Sequence, residues 1–65
     1  MLGIRIAMLR RKAKFSQKEL ASRLHISPSA VGMYEQGRRE PSVYMLAAIA
    51  RELHVTIDYL VQGTP

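Results

Sequence analysis

Three residues, His25-Ile26-Ser27, separate two short amphipathic segments, and this joint constrains the fold more than any other feature of the 65-residue chain. The first segment follows Ser16 and runs Gln17-Lys18-Glu19-Leu20-Ala21-Ser22-Arg23-Leu24. The second opens with Ser27-Pro28 and runs to about Gln36. Helices joined so tightly must cross at a steep angle, and each must lay its apolar stripe on a shared core. Leu20, Leu24, Ile26, Val31 and Tyr34 supply that core. Ala21 must be small, because the two helices approach closely at the corner.

The same grammar of helix starts recurs along the chain. Ser16 with Glu19 forms a capping box, and Phe15 with Leu20 forms a hydrophobic staple around it. Ile26, Ser27 and Val31 repeat the arrangement, with Pro28 at the first helical position. Val55, Thr56 and Leu60 repeat it again. Ahead of these, Leu2, Ile6, Leu9 and Ala13 recur at helical steps, with Arg10, Arg11, Lys12 and Lys14 late in the helix, where its dipole favours cations. This predicts a first helix over 2–13. Gly37 stops the third helix, and Arg38-Arg39-Glu40-Pro41 forms a basic loop. Ser42 caps a fourth helix to about Leu53, with Leu46, Ile49, Ala50 and Leu53 inward. His54-Val55 links it to a fifth over 56–62, ended by Gly63. No segment alternates like a strand. The expected fold is all-α, a compact five-helix bundle forming one domain over 1–65.

Charge narrows the function classes. Ten Lys and Arg against five Asp and Glu give a net charge of +5, a surplus that attracts polyanions. Without cysteine there is neither a disulfide framework nor a thiolate metal site, which fits a cytosolic protein. No apolar run approaches the ~20 residues of a membrane span. The opening segment carries Arg5 and Arg10 and lacks a cleavable signal layout. The expected location is the cytoplasm, with no membrane partner. No catalytic constellation, glycine-rich phosphate loop or metal-ligand cluster is present, so no enzyme, cofactor or small-molecule ligand is expected. In a basic chain of this kind, the tight joint lets its second helix project into a DNA major groove.

Residues 5–62 resemble the Cro-and-repressor (XRE-like) helix-turn-helix family of DNA-binding transcriptional regulators. The resemblance rests on Ser16-Gln17-Lys18-Glu19-Leu20-Ala21, then Leu24, Ile26, Val31 and Tyr34. It continues through Glu35-Gln36-Gly37-Arg38-Arg39-Glu40-Pro41-Ser42 to Leu46, Ile49-Ala50, Leu53, Val55 and Asp58-Tyr59-Leu60. It implies a lambda-repressor-like fold with the helix-turn-helix proper at about 16–36. His25 departs from the family, which very often places glycine there for a backbone of positive φ. Histidine is among the less penalised alternatives, so the turn is expected to survive with some strain. Both His25 and His54 are taken as core or surface residues, with no metal role.

The resemblance places Ser27, Pro28, Ser29, Gly32 and Met33 against the bases. Spacing agrees: with Val31 and Tyr34 inward, residues 28, 29, 32 and 33 share the opposite face. None of these is Arg, Asn or Gln, so the strong bidentate pairings to guanine or adenine are missing. Met33 and the Gly32 methylene suit a thymine methyl, and Gln36 is the one amide within possible reach of a base. Gln17, Arg38 and Arg39 match phosphate-binding positions, with Lys18 a plausible addition. Tyr34 has two readings, pure core or a core ring whose hydroxyl meets a phosphate. Arg10 also has two, a phosphate contact or the favoured bridge to Glu35 found in some family repressors.

The implied partner is double-stranded DNA, a near-palindromic operator bound by a homodimer. Candidate dimer contacts are Tyr44, Met45, Ala48, Ile57 and Val61, some of which must be core. The implied function is a sequence-specific regulator, foremost a repressor acting by promoter occlusion, though activation through polymerase uses the same fold. The alternative is a protein-binding module, such as an antitoxin, with DNA binding as a secondary activity.

Overall fold

The computed structural model describes residues 1–63 and contains five helices: α1 (Leu2–Lys12), α2 (Gln17–Leu24), α3 (Pro28–Glu35), α4 (Val43–Glu52) and α5 (Ile57–Gln62). The last two residues of the expected 1–65 unit lie outside the described residues. Four hydroxyl side chains start the last four helices. Ser16, Ser27, Ser42 and Thr56 each accept the backbone N–H three residues on, at 3.0–3.1 Å. Each thereby satisfies one of the donors that a helix start leaves orphaned. The Ser16 box is closed from both sides, because the Ser16 N–H donates to Glu19 Oε1 at 2.7 Å. That backbone bond, helped by the Ser16 hydroxyl and Arg23, holds the Glu19 carboxyl below its ordinary pKa. Among the described residues no strand forms, and no helix is long and apolar enough to cross a membrane.

The helix ends share one device. Lys14, His25 and His54 adopt left-handed backbone with φ of 65°, 59° and 58°. After each, the next N–H reaches back five residues: Phe15 to Arg10, Ile26 to Ala21 and Val55 to Ala50, all at 3.0–3.1 Å. This is the Schellman closure, and Phe15, Ile26 and Val55 supply its usual apolar contact by packing on the core. A capping hydroxyl follows at once. Lys14-Phe15-Ser16, His25-Ile26-Ser27 and His54-Val55-Thr56 are therefore one turn used three times, although only His25 was expected at positive φ. The same closure ends α3, where Gly37 has φ 74° and the Arg38 N–H meets Met33 O at 2.9 Å. Helix α1 stops one residue short of the expected 13, because Ala13 becomes its cap before the turn at Lys14.

The core joins all five helices through Ile6, Leu9, Leu20, Ala21, Leu24, Val31, Tyr34, Ile49, Ala50, Leu53 and Leu60. Leu20 and Ala21 are fully buried at the α2–α3 corner, as their spacing requires. Helix α1 packs on α3 and α5, α2 on α3 and α4, and α4 on α5. The ends of the chain are tied by Arg5, whose Nη1 donates to the carbonyls of Leu60 and Val61 at 3.0 Å each. Those carbonyls belong to the C-terminal turn of α5, where a cation also suits the dipole.

The α1–α3 contact is backbone on backbone. A Cβ on Gly3 would fall 2.5 Å from the carbonyl oxygens of both Tyr34 and Glu35. Helix propensity alone favours Gly3→Ala by about 1 kcal/mol. Because the obstructing atoms are main chain, we expect Gly3→Ala instead to lose about 1–3 kcal/mol in urea denaturation. His25→Gly should move the other way. Relief of the left-handed penalty, about 1–2 kcal/mol, exceeds the added chain entropy of about 0.4–1 kcal/mol, for a net gain of roughly 0.5–1 kcal/mol in the same measurement.

Candidate nucleic-acid interface

The turn at His25-Ile26-Ser27 delivers α3 with its first residues outward. Ser27 is extended at φ −77° and ψ 152°, Pro28 occupies the first turn, and Ser27, Pro28 and Ser29 are all exposed. Ala30, Val31 and Tyr34 turn into the core. Met33 is half-buried. Gly32 points at exposed Gln17 and not into the core, yet it is not open to a ligand. It is buried, and the Gln17 carboxamide lies over it: a Cβ at residue 32 would meet Gln17 Nε2 at 3.7 Å and Oε1 at 3.9 Å. The physical reason is the missing side chain. With nothing projecting from residue 32, the first side chain of α2 covers the backbone there.

Beneath this surface lies a buried ion pair. Arg10 Nε donates to Glu35 Oε2 at 2.6 Å and Nη2 donates to Oε1 at 3.3 Å, with both side chains under a tenth exposed. Arg10 Nη1 donates to the Phe15 carbonyl at 2.8 Å. Arg10 is thus consumed inside the protein, and of its two readings the geometry leaves the bridge and not the phosphate contact. The remaining acceptor capacity of Glu35 is used by Gln17, whose Nε2 donates to Oε1 at 2.9 Å. Side chains of α1, α2 and α3 therefore meet at one carboxylate.

The other expected anion-binding side chains are placed more simply. Lys18 is exposed on the first turn of α2, and Arg38 and Arg39 are exposed in the turn after α3. Tyr34 is 8% exposed, with its ring in the core. Gln36 is exposed as the cap residue of α3. Arg23, also basic, is engaged elsewhere, 4.7 Å from the Phe15 ring centroid and 3.4 Å from Glu52. Sequence reading missed the parts played by Gly3, Arg5 and the Gln17–Glu35 bond. One signal was available: Gly3 and Gly32 stand inside helical patterns with no turn to explain them, which marks a close approach.

A family model described as helix-turn-helix matches residues 6–60. Among known proteins, the chain is 34% identical over 64 residues to an uncharacterised HTH-type transcriptional regulator of the SPbeta prophage in Bacillus subtilis, covering 98% of this chain and 59% of that protein. It is 32% identical over 63 residues to repressor protein C2 of Salmonella phage P22, covering 97% of this chain and 29% of that protein. The chain thus spans less than two thirds of the length of the curated relatives it matches. Among solved structures, the P22 c2 repressor in complex with a synthetic operator superposes with a TM-score of 0.92 at 31% identity, covering 98% of this chain and 97% of that one. The biofilm master regulator SinR in complex with DNA superposes at 0.88 with 27% identity, covering 95% and 100%.

The ion pair makes a direct prediction. Arg10→Ala leaves Glu35 charged and buried, and should cost about 3–5 kcal/mol in denaturant unfolding. The double variant Arg10→Met/Glu35→Leu removes both charges and should recover most of that loss.

Proposed function

This chain belongs to the helix-turn-helix family, and from that premise we propose that it is a DNA-binding transcriptional regulator that acts in the cytoplasm as a repressor. In this reading α3 enters the major groove and the bound protein occludes promoter DNA. The observation that carries it is the outer face of α3. A helix pinned by the core and by Glu35 presents Ser27, Pro28, Ser29 and Met33, bordered by exposed Lys18, Arg38 and Arg39. No catalytic step is assigned.

Phosphates supply affinity and base edges supply sequence choice. Lys18, Arg38 and Arg39 are assigned to phosphates together with Gln17. Ser29 and Met33 are assigned to bases. Hydroxyls discriminate poorly, a thioether prefers a thymine methyl, and no exposed residue of α3 itself offers a bidentate pairing. The specificity ratio should therefore be modest and weighted toward DNA shape. Gly32, beneath Gln17, contributes no contact of its own in this reading.

Dimerisation is assigned to α4 and α5. Val43 and Tyr44 are 77% and 88% exposed, and Ile57 and Val61 are 43% exposed each, while Met45 and Ala48 pack against the core. A second copy covering the exposed four would place two α3 helices on half-sites about one helical turn, ~34 Å, apart.

Selection from random duplex DNA tests the reading. It should return a two-fold-symmetric motif, and discrimination between that motif and random duplex should stay below ~10⁵ at one salt concentration. Met33→Ala should relax a single motif position. Arg38→Ala should weaken all duplexes alike and lower the salt slope by about one. Recovery of no motif at all would sink the proposal.

A further inference from the structure

We propose that Gly32 and Glu35 are positioning residues for Gln17, seating its carboxamide over the middle of α3 so that it forms part of the DNA-facing surface. The inference rests on the DNA-binding reading above and adds two residues to its machinery. Neither of them is itself assigned a DNA contact.

Gln17 opens α2 and is exposed, yet its carboxamide has a fixed orientation. An ionised carboxylate only accepts hydrogen bonds, so the edge of Gln17 that faces Glu35 Oε1 at 2.9 Å must be its NH2 group. Glu35 can hold it because Arg10 locks the carboxylate with two bonds and is itself anchored on the Phe15 carbonyl. Arg10 also cancels the carboxylate charge, so Glu35 sits near the expected phosphate path without repelling it. One N–H of Gln17 is spent on Glu35, and the second remains for a phosphate oxygen.

Gly32 supplies the seat. Glycine is unfavourable inside a helix, and here no positive φ calls for it. A Cβ would stand in ordinary contact with the carboxamide at 3.7–3.9 Å. An alanine is therefore tolerated, whereas a side chain with γ and δ atoms must take the place of Gln17. Residue 32 thus sets whether an amide from α2 can lie across the middle of α3 and offer its free N–H to a phosphate.

The test uses the full chain and a 20-base-pair random duplex at low salt, with melting curves confirming that each variant folds. Without DNA, the side-chain amide protons of Gln17, followed by ¹⁵N NMR, should be shifted and protected in the wild type and in Gly32→Ala. They should collapse to solvent-exposed values in Gly32→Leu. With DNA, the readout is the dissociation constant of each variant at that one salt concentration. Gln17→Ala and Gly32→Leu should each weaken binding roughly ten- to hundredfold, the loss expected of one hydrogen bond to a charged group. The double variant should be no weaker than Gln17→Ala alone. Unchanged amide protons in Gly32→Leu would overturn the proposal while leaving DNA binding intact. So would additive losses in the double variant, which would mean that residue 32 meets the duplex directly. A wild type that binds no duplex would overturn both this proposal and the reading beneath it.

Discussion

The guanidinium of Arg10 and the carboxylate of Glu35 meet at 2.6 Å beneath the surface of α3, and much of the molecule is organised around that contact. Two charges taken out of water gain little over a well-packed apolar pair. Their value is in what they forbid. Any arrangement in which α1 slides along α3 leaves a buried charge without its partner, a far larger penalty than a misplaced methyl group. The bridge therefore fixes register. Its third bond fixes the turn at Phe15 that launches α2, and Glu35 Oε1, which also accepts from Arg10, holds Gln17 at the head of α2. Close approach on the same helix pair is possible because Gly3 lets α1 rest directly on the carbonyls of Tyr34 and Glu35.

Around this fixed pair, the chain makes its corners by repetition. A left-handed basic residue, an apolar residue that enters the core, and a hydroxyl that starts the next helix occur at residues 14–16, 25–27 and 54–56. Each closes the carbonyls of one helix and opens the donors of the next within three residues, so little backbone is left for water to satisfy. Such short joints suit a small domain. They place most of the chain in helices, and they set each helix direction by local hydrogen bonds as well as by packing. Helix α3 inherits its angle from one of these corners.

The outer surface follows from the same economy of size. With α3 only eight residues long and four of those residues buried, few side chains are left to meet a ligand. Those few are small or apolar, and the exposed charges lie at its margins on α2 and the loop beyond Gly37. In the proposed reading this division favours firm attachment to a polyanion with limited choice among sequences, and the amide borrowed from α2 adds to the attachment.

Helix number, helix starts and the inward stripes were legible in the sequence because each depends on neighbours within about five residues. Ser16 with Glu19, Pro28 after Ser27, and Leu20 with Leu24 act through local backbone geometry that any context preserves. The left-handed backbone at Lys14 and His54 was equally local but lacked the usual marker, since neither residue is glycine. What only the tertiary structure decided are matters of separate helices meeting: that Gly32 lies under Gln17, that Gly3 touches the carbonyls of α3, that Arg5 closes the end of α5, and that Glu35 serves two donor side chains at once. These depend on distances between atoms up to fifty-six residues apart in the chain. No periodicity encodes such distances, because a glycine or an arginine in a helical pattern shows only which face it occupies and not what another helix brings against it.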